Sequence, residues 1–353
     1  MSDPTGSSTQ PPDDDSMGRR AQLVGGDPMS GVDADMKHVL DGLEELGARP
    51  LEYLSPQMAR RQPRPAEAIS TILGRQKRER PDDGVAADDI TIPGAEGDLP
   101  ARIYRPMGLL SRLNPMVLYF HGGGFVTGDL DSDDASARAL ARRTGAIVVS
   151  VAYRLAPEHP FPAAHEDAWA AWRWLVKGAR ELGGDPRRIA VAGEDAGANL
   201  AANVAIRARD ERHVQPVHQV LVHPIAGNDM TTASYGETLR IRPVGLAAMR
   251  WRFRHLFDDE TGPADPRIKL VGRDDLAGTA PATIVLAGID PLRSEGEALA
   301  EALDRAHVPT NCWTYDGVVQ GFFGLGLIVT KALFAQADVA DALGKAFAPG
   351  RRS

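Results

Sequence analysis

The chain has 353 residues, a formal net charge of -8 and one cysteine, Cys312. The acidic balance argues against a nucleic-acid-binding surface, and a lone cysteine excludes an internal disulfide and any cysteine metal cluster. No apolar run reaches membrane-spanning length, and Met1-Ser2-Asp3-Pro4-Thr5 has neither the basic start nor the apolar core of a signal peptide, so a soluble cytoplasmic protein is expected.

Residues 1 to about 30 are rich in Ser, Pro, Gly and Asp without apolar period, which reads as a disordered tail. From Asp33 the pattern changes: Met36, Val39, Leu40, Leu43 and Leu46 recur at helical spacing, and a second helix is expected over Pro65 to Lys77. These would form a helical cap over residues 31–85. Strand signals begin at Ile90 and Ile92, continue at Ala101 to Tyr104, and become a buried run at Pro115 to Phe120.

Beyond His121-Gly122-Gly123-Gly124-Phe125, helices and strands alternate. A helix (Ser136 to Arg143), a strand (Ala146 to Ala152) and a Trp-rich helix (Glu166 to Leu182) lead to a short strand, Arg188 to Ala192, and a helix, Ala198 to Ala208. A strand at His218 to Val222 follows. A polar segment, 226–278, helix-like around Val244 to Phe257, then interrupts the alternation and reads as a second piece of lid. Strand Thr283 to Leu286, helix Ser294 to Ala306, strand Asn311 to Tyr315 and a closing helix to about Phe347 complete the chain. Such alternation predicts an α/β fold with a mostly parallel, doubly wound sheet in a core spanning 86–350.

The centre of this arrangement is Gly193-Glu194-Asp195-Ala196-Gly197, between a strand and a helix. Small residues flanking a reactive side chain on a strand-to-helix turn form a nucleophile elbow, because they let the backbone double back tightly. The residue at the centre is Asp195.

Taken in order, His121-Gly122-Gly123-Gly124-Phe125, Tyr153-Arg154-Leu155-Ala156-Pro157-Glu158-His159-Pro160, the elbow, Asp290-Pro291-Leu292-Arg293, Tyr315-Asp316-Gly317 and Gln320-Gly321-Phe322 resemble the hormone-sensitive-lipase family of α/β-hydrolases. The resemblance runs from Met36 to Phe347. It implies an α/β-hydrolase fold with a helical lid, and an oxyanion hole made by the N–H groups of Gly123, Gly124 and Ala196. It makes His121 a structural histidine. It also implies a triad of serine at 195, a carboxylate at 290 and histidine at 320. Asp290 matches; Asp195 and Gln320 do not. Glutamine has no titratable nitrogen, so it cannot shuttle the proton that ester hydrolysis by serine requires. His165, on the Trp-rich helix, reads as a packed residue rather than a displaced base, and Glu194 as structural.

Asp195 leaves three options open. It could attack a substrate covalently, as aspartate does in some α/β-hydrolases that open epoxides. It could act as a base, removing a proton next to a carbonyl whose enolate the hole stabilises. It could be a polar anchor in a ligand-binding protein without chemistry. The expectation favours the second: non-hydrolytic acid/base chemistry such as elimination, dehydration or cyclisation. A receptor-like protein and a hydrolase using Asp195 are the alternatives. The catalytic candidates are then Asp195, Asp290 and Gln320, with no cofactor and no metal site. The expected partner is a small apolar carbonyl compound, with lid residues Tyr53, Met58, Trp251, Phe253 and Phe257 as its wall. No nucleic acid or membrane span is expected, and a homodimer is left open.

Overall fold

A computed structural model describes residues 31–348 except 80, 82, 109–112, 240 and 259–261. The expected tail over 1–30 lies outside the described residues.

The sheet has eight strands: β1 (Val85–Pro93), β2 (Asp98–Pro106), β3 (Asn114–Phe120), β4 (Ile147–Val151), β5 (Gly184–Glu194), β6 (Gln219–Val222), β7 (Ala282–Ile289) and β8 (Thr310–Val319). Their order is β1-β2-β4-β3-β5-β6-β7-β8. β2 runs antiparallel to both neighbours, and every pair from β4 to β8 is parallel. Side chains of a strand alternate between faces, so a sheet covered on both sides needs apolar residues at successive positions. Phe120, Val149 and Val191 join one core with Trp172 and Leu200, while Tyr119, Val148 and Ala192 join the other with Phe323 and Val339. This is the α/β-hydrolase fold that the motif order implied.

The strands ran longer than the apolar runs alone suggested. β5 starts at Gly184 because Asn114 pairs with it across β3, extending the ladder into polar sequence. The helix after the elbow is α6 in chain order, and the preceding ones are α1 (Ala34–Glu45), α2 (Pro56–Ala59), α3 (Pro65–Arg75), α4 (Asp134–Thr144) and α5 (Ala163–Gly178). α6 begins directly at Ala196 and ends at Asp210. A Cβ on Gly193 would collide with the carbonyl of Gly197, and a Cβ on Gly197 with the carbonyl of Phe120. Strand, turn and helix therefore close against β3 at backbone contact.

Between β6 and β7 come α7 (Ala233–Glu237) and α8 (Leu246–Leu256); α9 (Arg293–Arg305) follows β7 and α10 (Thr330–Phe347) closes the chain. The two segments outside the alternation meet: the Trp251 indole donates to the carbonyl of Leu54 at 2.9 Å, and Arg242 pairs with Glu52 at 3.1 Å. Arg60 ties the N-terminal segment to the core, donating to the carbonyls of Val126 (2.9 Å) and Ala156 (2.8 Å) and to Glu158 (2.6 Å). No helix among the described residues is long and apolar enough to cross a membrane.

The contact at the elbow predicts that Gly197→Ala lowers stability by about 2–3 kcal/mol, because the added methyl has only backbone to displace. Gly236→Ala, where a Cβ meets nothing within 4 Å, is the control. Urea denaturation reads both; an unchanged midpoint for Gly197→Ala would refute the backbone contact.

Candidate active site

In an open α/β sheet the ligand crevice lies outside the carboxyl ends of the strands, where the connections diverge in direction. Here that point lies between β3 and β5. The loop after β3 carries Gly122 to Gly124, and the turn after β5 carries Asp195. A cavity of about 1190 Å³ opens above them, with α1 to α3 contributing its upper wall. Gly122, Gly123, Asp195, His223, Arg252 and Gln320 line its floor.

Asp195 sits at φ 54°, ψ -113°, a conformation costly for any residue with a Cβ. The fold holds it there through its own backbone: the N–H donates to the carbonyl of Val222 (2.9 Å), and the carbonyl accepts from Ile225 (3.1 Å). The side chain is thereby aimed at the glycine loop. Its Oδ2 accepts from Gly123 N–H at 3.0 Å and from Gly124 N–H at 3.0 Å. The Arg252 guanidinium adds a third contact, Nη1 to Oδ2 at 3.0 Å. Oδ1 is buried without a partner. The two glycine N–H groups thus converge on one anionic oxygen, at the distance an oxyanion hole requires. Ala196 is the first residue of α6, so its N–H has no partner within the helix.

Asp290 and Gln320 come to the same edge, from the ends of β7 and β8, but are not joined to each other. Asp290 is fully buried; its Oδ1 accepts from Leu292 N–H at 2.8 Å and its Oδ2 has no partner. Burial pushes its carboxyl up to about 6, against the pull of His223. Both polar atoms of the Gln320 side chain are buried and unpartnered. Unsatisfied polar atoms are costly in a packed interior, and Gln320, unlike Asp290, lines the cavity.

Two residues of this floor were not foreseen. His223 follows β6 directly. Its Nε2 lies 3.4 Å from Glu194 Oε2 and 3.2 Å from the Gly321 backbone nitrogen, while its Nδ1 is buried without a partner. Burial disfavours the charged ring, but the hydrogen bond to and charge of Glu194, with Asp290 and Asp195 behind it, outweigh that and raise its pKa. Glu194 also accepts from the Tyr119 hydroxyl at 2.8 Å. Arg252 lies on α8, where Met249, Arg252 and Leu256 share the buried face. Helical phase separates it from the neighbouring arginines, and a polar residue directly after an apolar strand could have pointed to His223. Of the expected wall residues, none lines the cavity. Tyr53 and Met58 are exposed, and Trp251 turns to Leu54.

The other histidines have structural surroundings. His121 stacks on Tyr153, centroids 4.3 Å apart, and burial lowers its pKa. His165 Nε2 bonds Asn199 Oδ1 at 2.9 Å, and burial lowers it to about 4.

Residues 117–324 match a family model described as the α/β hydrolase fold, which is more than half of the chain. The chain belongs to the α/β-hydrolase family. Its motifs match the hormone-sensitive-lipase type, and it is an enzyme of the α/β-hydrolase superfamily. This family member is 43% identical over 247 residues to Esterase LipI of Mycobacterium tuberculosis (strain ATCC 25618 / H37Rv), covering 69% of the chain and 77% of that protein. It is 41% identical over 260 residues to Carboxylesterase NlhH of the same strain, covering 72% and 79%. Among solved structures, a hyperthermophilic esterase from the archaeon Pyrobaculum calidifontis superposes with a TM-score of 0.79 at 35% identity, covering 89% and 98%.

These relatives correct the functional expectation. Elimination, dehydration or cyclisation by Asp195, and a receptor without chemistry, do not stand beside relatives named esterases at this identity. The site is compatible with that correction: the N–H groups of Gly123 and Gly124 converge on one oxygen at 3.0 Å, a geometry that acyl transfer can use.

The buried acids of this hydrolase give stability a pH dependence. Burial, then the charge of Glu194, pushes the Asp133 carboxyl up to about 8 although Gly122 N–H opposes it. Burial pushes Glu295 up to about 7 against the N–H groups of Ala226 and Gly227. At neutral pH Asp133 is mostly and Glu295 about half protonated in the fold, whereas both are ionised when unfolded. The folded state therefore holds the extra protons, and stability falls as pH rises toward the folded pKa values. His223, also raised, acts in the same direction. His165 and His218, lowered to about 4 by burial, act below pH 6.5 and are neutral in both states above it. Between pH 6.5 and 8.5 unfolding free energy should drop, on the order of 2 kcal/mol. Chemical denaturation across that range checks it; flat or rising stability would contradict the assignment.

Proposed function

We propose that the protein hydrolyses carboxylic esters, with Asp195 delivering the attacking water. The convergence of Gly123 and Gly124 N–H on one oxygen at 3.0 Å carries the reading, because that geometry serves the oxyanion of acyl transfer. The esterases among its relatives support the same reaction class.

In this reading Asp195 and Gln320 stand where family members carry the nucleophilic serine and the catalytic histidine. The substrate carbonyl oxygen takes the place of Asp195 Oδ2, and the carboxylate turns out of the hole. Water attacks the carbonyl carbon and gives its proton to Asp195. The tetrahedral oxyanion rests on the two glycine N–H groups, with Ala196 N–H as the third backbone donor. Its collapse breaks the bond to the alcohol oxygen, which takes the proton back from Asp195. Ester and water become acid and alcohol, and no imidazole at 320 is needed because one carboxyl serves as base and then as acid. His223 supplies the polar floor beside Gln320. No cofactor enters this scheme.

The reaction is tested with p-nitrophenyl acetate and butyrate. Asn at 195 keeps the shape and cannot take a proton, so Asp195→Asn should lose about a hundredfold in kcat with KM within about threefold. Circular dichroism confirms the fold of each protein first. Folded protein that hydrolyses neither ester faster than buffer, or an Asn variant as active as its parent, would refute the reading.

A further inference from the structure

We infer that Arg252 is a further, charged donor of the oxyanion hole and thus a catalytic residue for the proposed ester hydrolysis. The hole with its guanidinium is a carboxylate-binding site whose occupant in this structure is the chain's own Asp195. The first part rests on the ester-hydrolase reading; the second does not.

The geometry is that of a built site. Arg252 Nη1 and the N–H groups of Gly123 and Gly124 each lie 3.0 Å from the same oxygen, Asp195 Oδ2. The guanidinium is buried on the inner face of α8, and its stem rests directly on Gly124, where any Cβ would collide with Arg252 Cδ. Its other polar contact is a weak one, Nη1 to Met249 Sδ at 3.4 Å, and its Nε is buried without a partner. Among the described residues, a single carboxylate oxygen is thus the only strong acceptor it contacts. The helix that carries it is fixed on both sides, by Trp251 Nε1 on Leu54 and by Phe161 N–H on the carbonyl of Leu256 at 2.9 Å.

Charge decides what such a donor does in catalysis. A neutral ester carbonyl offers little to a guanidinium, whereas the tetrahedral intermediate puts a full negative charge on that oxygen. Arg252 therefore acts on the transition state and hardly on substrate binding. It also accounts for the departure of Asp195 from the hole. A buried guanidinium left alone is strongly unfavourable, and the developing oxyanion restores its partner as the carboxylate turns to the water. A free carboxylate of an acid product meets the same three donors once Asp195 is out of the way.

The binding claim is read without any reaction. Asp195→Gly removes the tethered occupant and suits the positive φ at that position. Titrated calorimetrically with sodium butyrate, the Asp195→Gly protein should bind at least about tenfold more tightly than the parent, and Arg252→Met in that background should remove at least about tenfold of the affinity. Butyrate should raise the melting temperature of the Asp195→Gly protein, which also shows that it is folded. No butyrate binding by folded Asp195→Gly, or equal binding with and without Arg252, would overturn the site. In the parent chain, Arg252→Met should lower kcat on p-nitrophenyl butyrate by about a hundredfold with KM within about threefold, and Arg252→Lys should recover part of it. A loss confined to KM would overturn the catalytic role. An inert parent chain would instead sink the ester-hydrolase reading and leave the butyrate result to stand by itself.

Discussion

Three donors meeting one oxygen organise this molecule. The N–H groups of Gly123 and Gly124 and the guanidinium of Arg252 hold Asp195 Oδ2, so the loop after β3, helix α8 and the elbow after β5 meet at one point. The elbow brings a strained backbone, and the strain persists because β3, β5, β6 and α6 over-determine it. Gly193 and Gly197 allow that closeness by having no Cβ to clash. The site is thus a property of the packing of the sheet, not of the loops alone.

That arrangement has an electrostatic consequence. A carboxylate held by two backbone N–H groups and a guanidinium meets charge-assisted donors that a neutral carbonyl cannot match. The resting site is therefore occupied from within. On the reading proposed, turnover requires the carboxylate to turn away, and the charge that builds on the substrate replaces it. The neighbouring polar atoms without partners, Asp290 Oδ2, His223 Nδ1 and both ends of Gln320, mark the rest of the space that water and substrate would satisfy.

Much of the fold was readable in the amino-acid sequence because it is written in local periodicity. Buried parallel strands such as Met116 to Phe120 are continuous apolar runs, and the glycine motifs sit where backbones touch. What local pattern could not show was where side chains turn. Nothing in the string around Asp195 says that its carboxylate folds back onto Gly123 and Gly124, since that depends on a rotamer and on a partner 57 positions further along. Arg252 lies between other arginines on a helix, and only its phase distinguishes it. His223 escaped because attention stayed on position 320, while a sheet brings every strand end to the same edge. The reaction class was not legible from Asp195 and Gln320 alone; the relatives named esterases supply it.

The claim that most of this rests on is that an esterase scaffold survives beneath Asp195. Placing serine at 195 empties the hole of its carboxylate, and placing histidine at 320 sets an imidazole between that serine and Asp290. The rate of p-nitrophenyl butyrate hydrolysis by the folded double variant, Asp195→Ser with Gln320→His, against the parent and each single variant, tests it most directly. The account predicts that the double variant exceeds the parent by at least about tenfold while neither single variant does, since triad members act as a unit. A folded double variant no faster than the parent would contradict it.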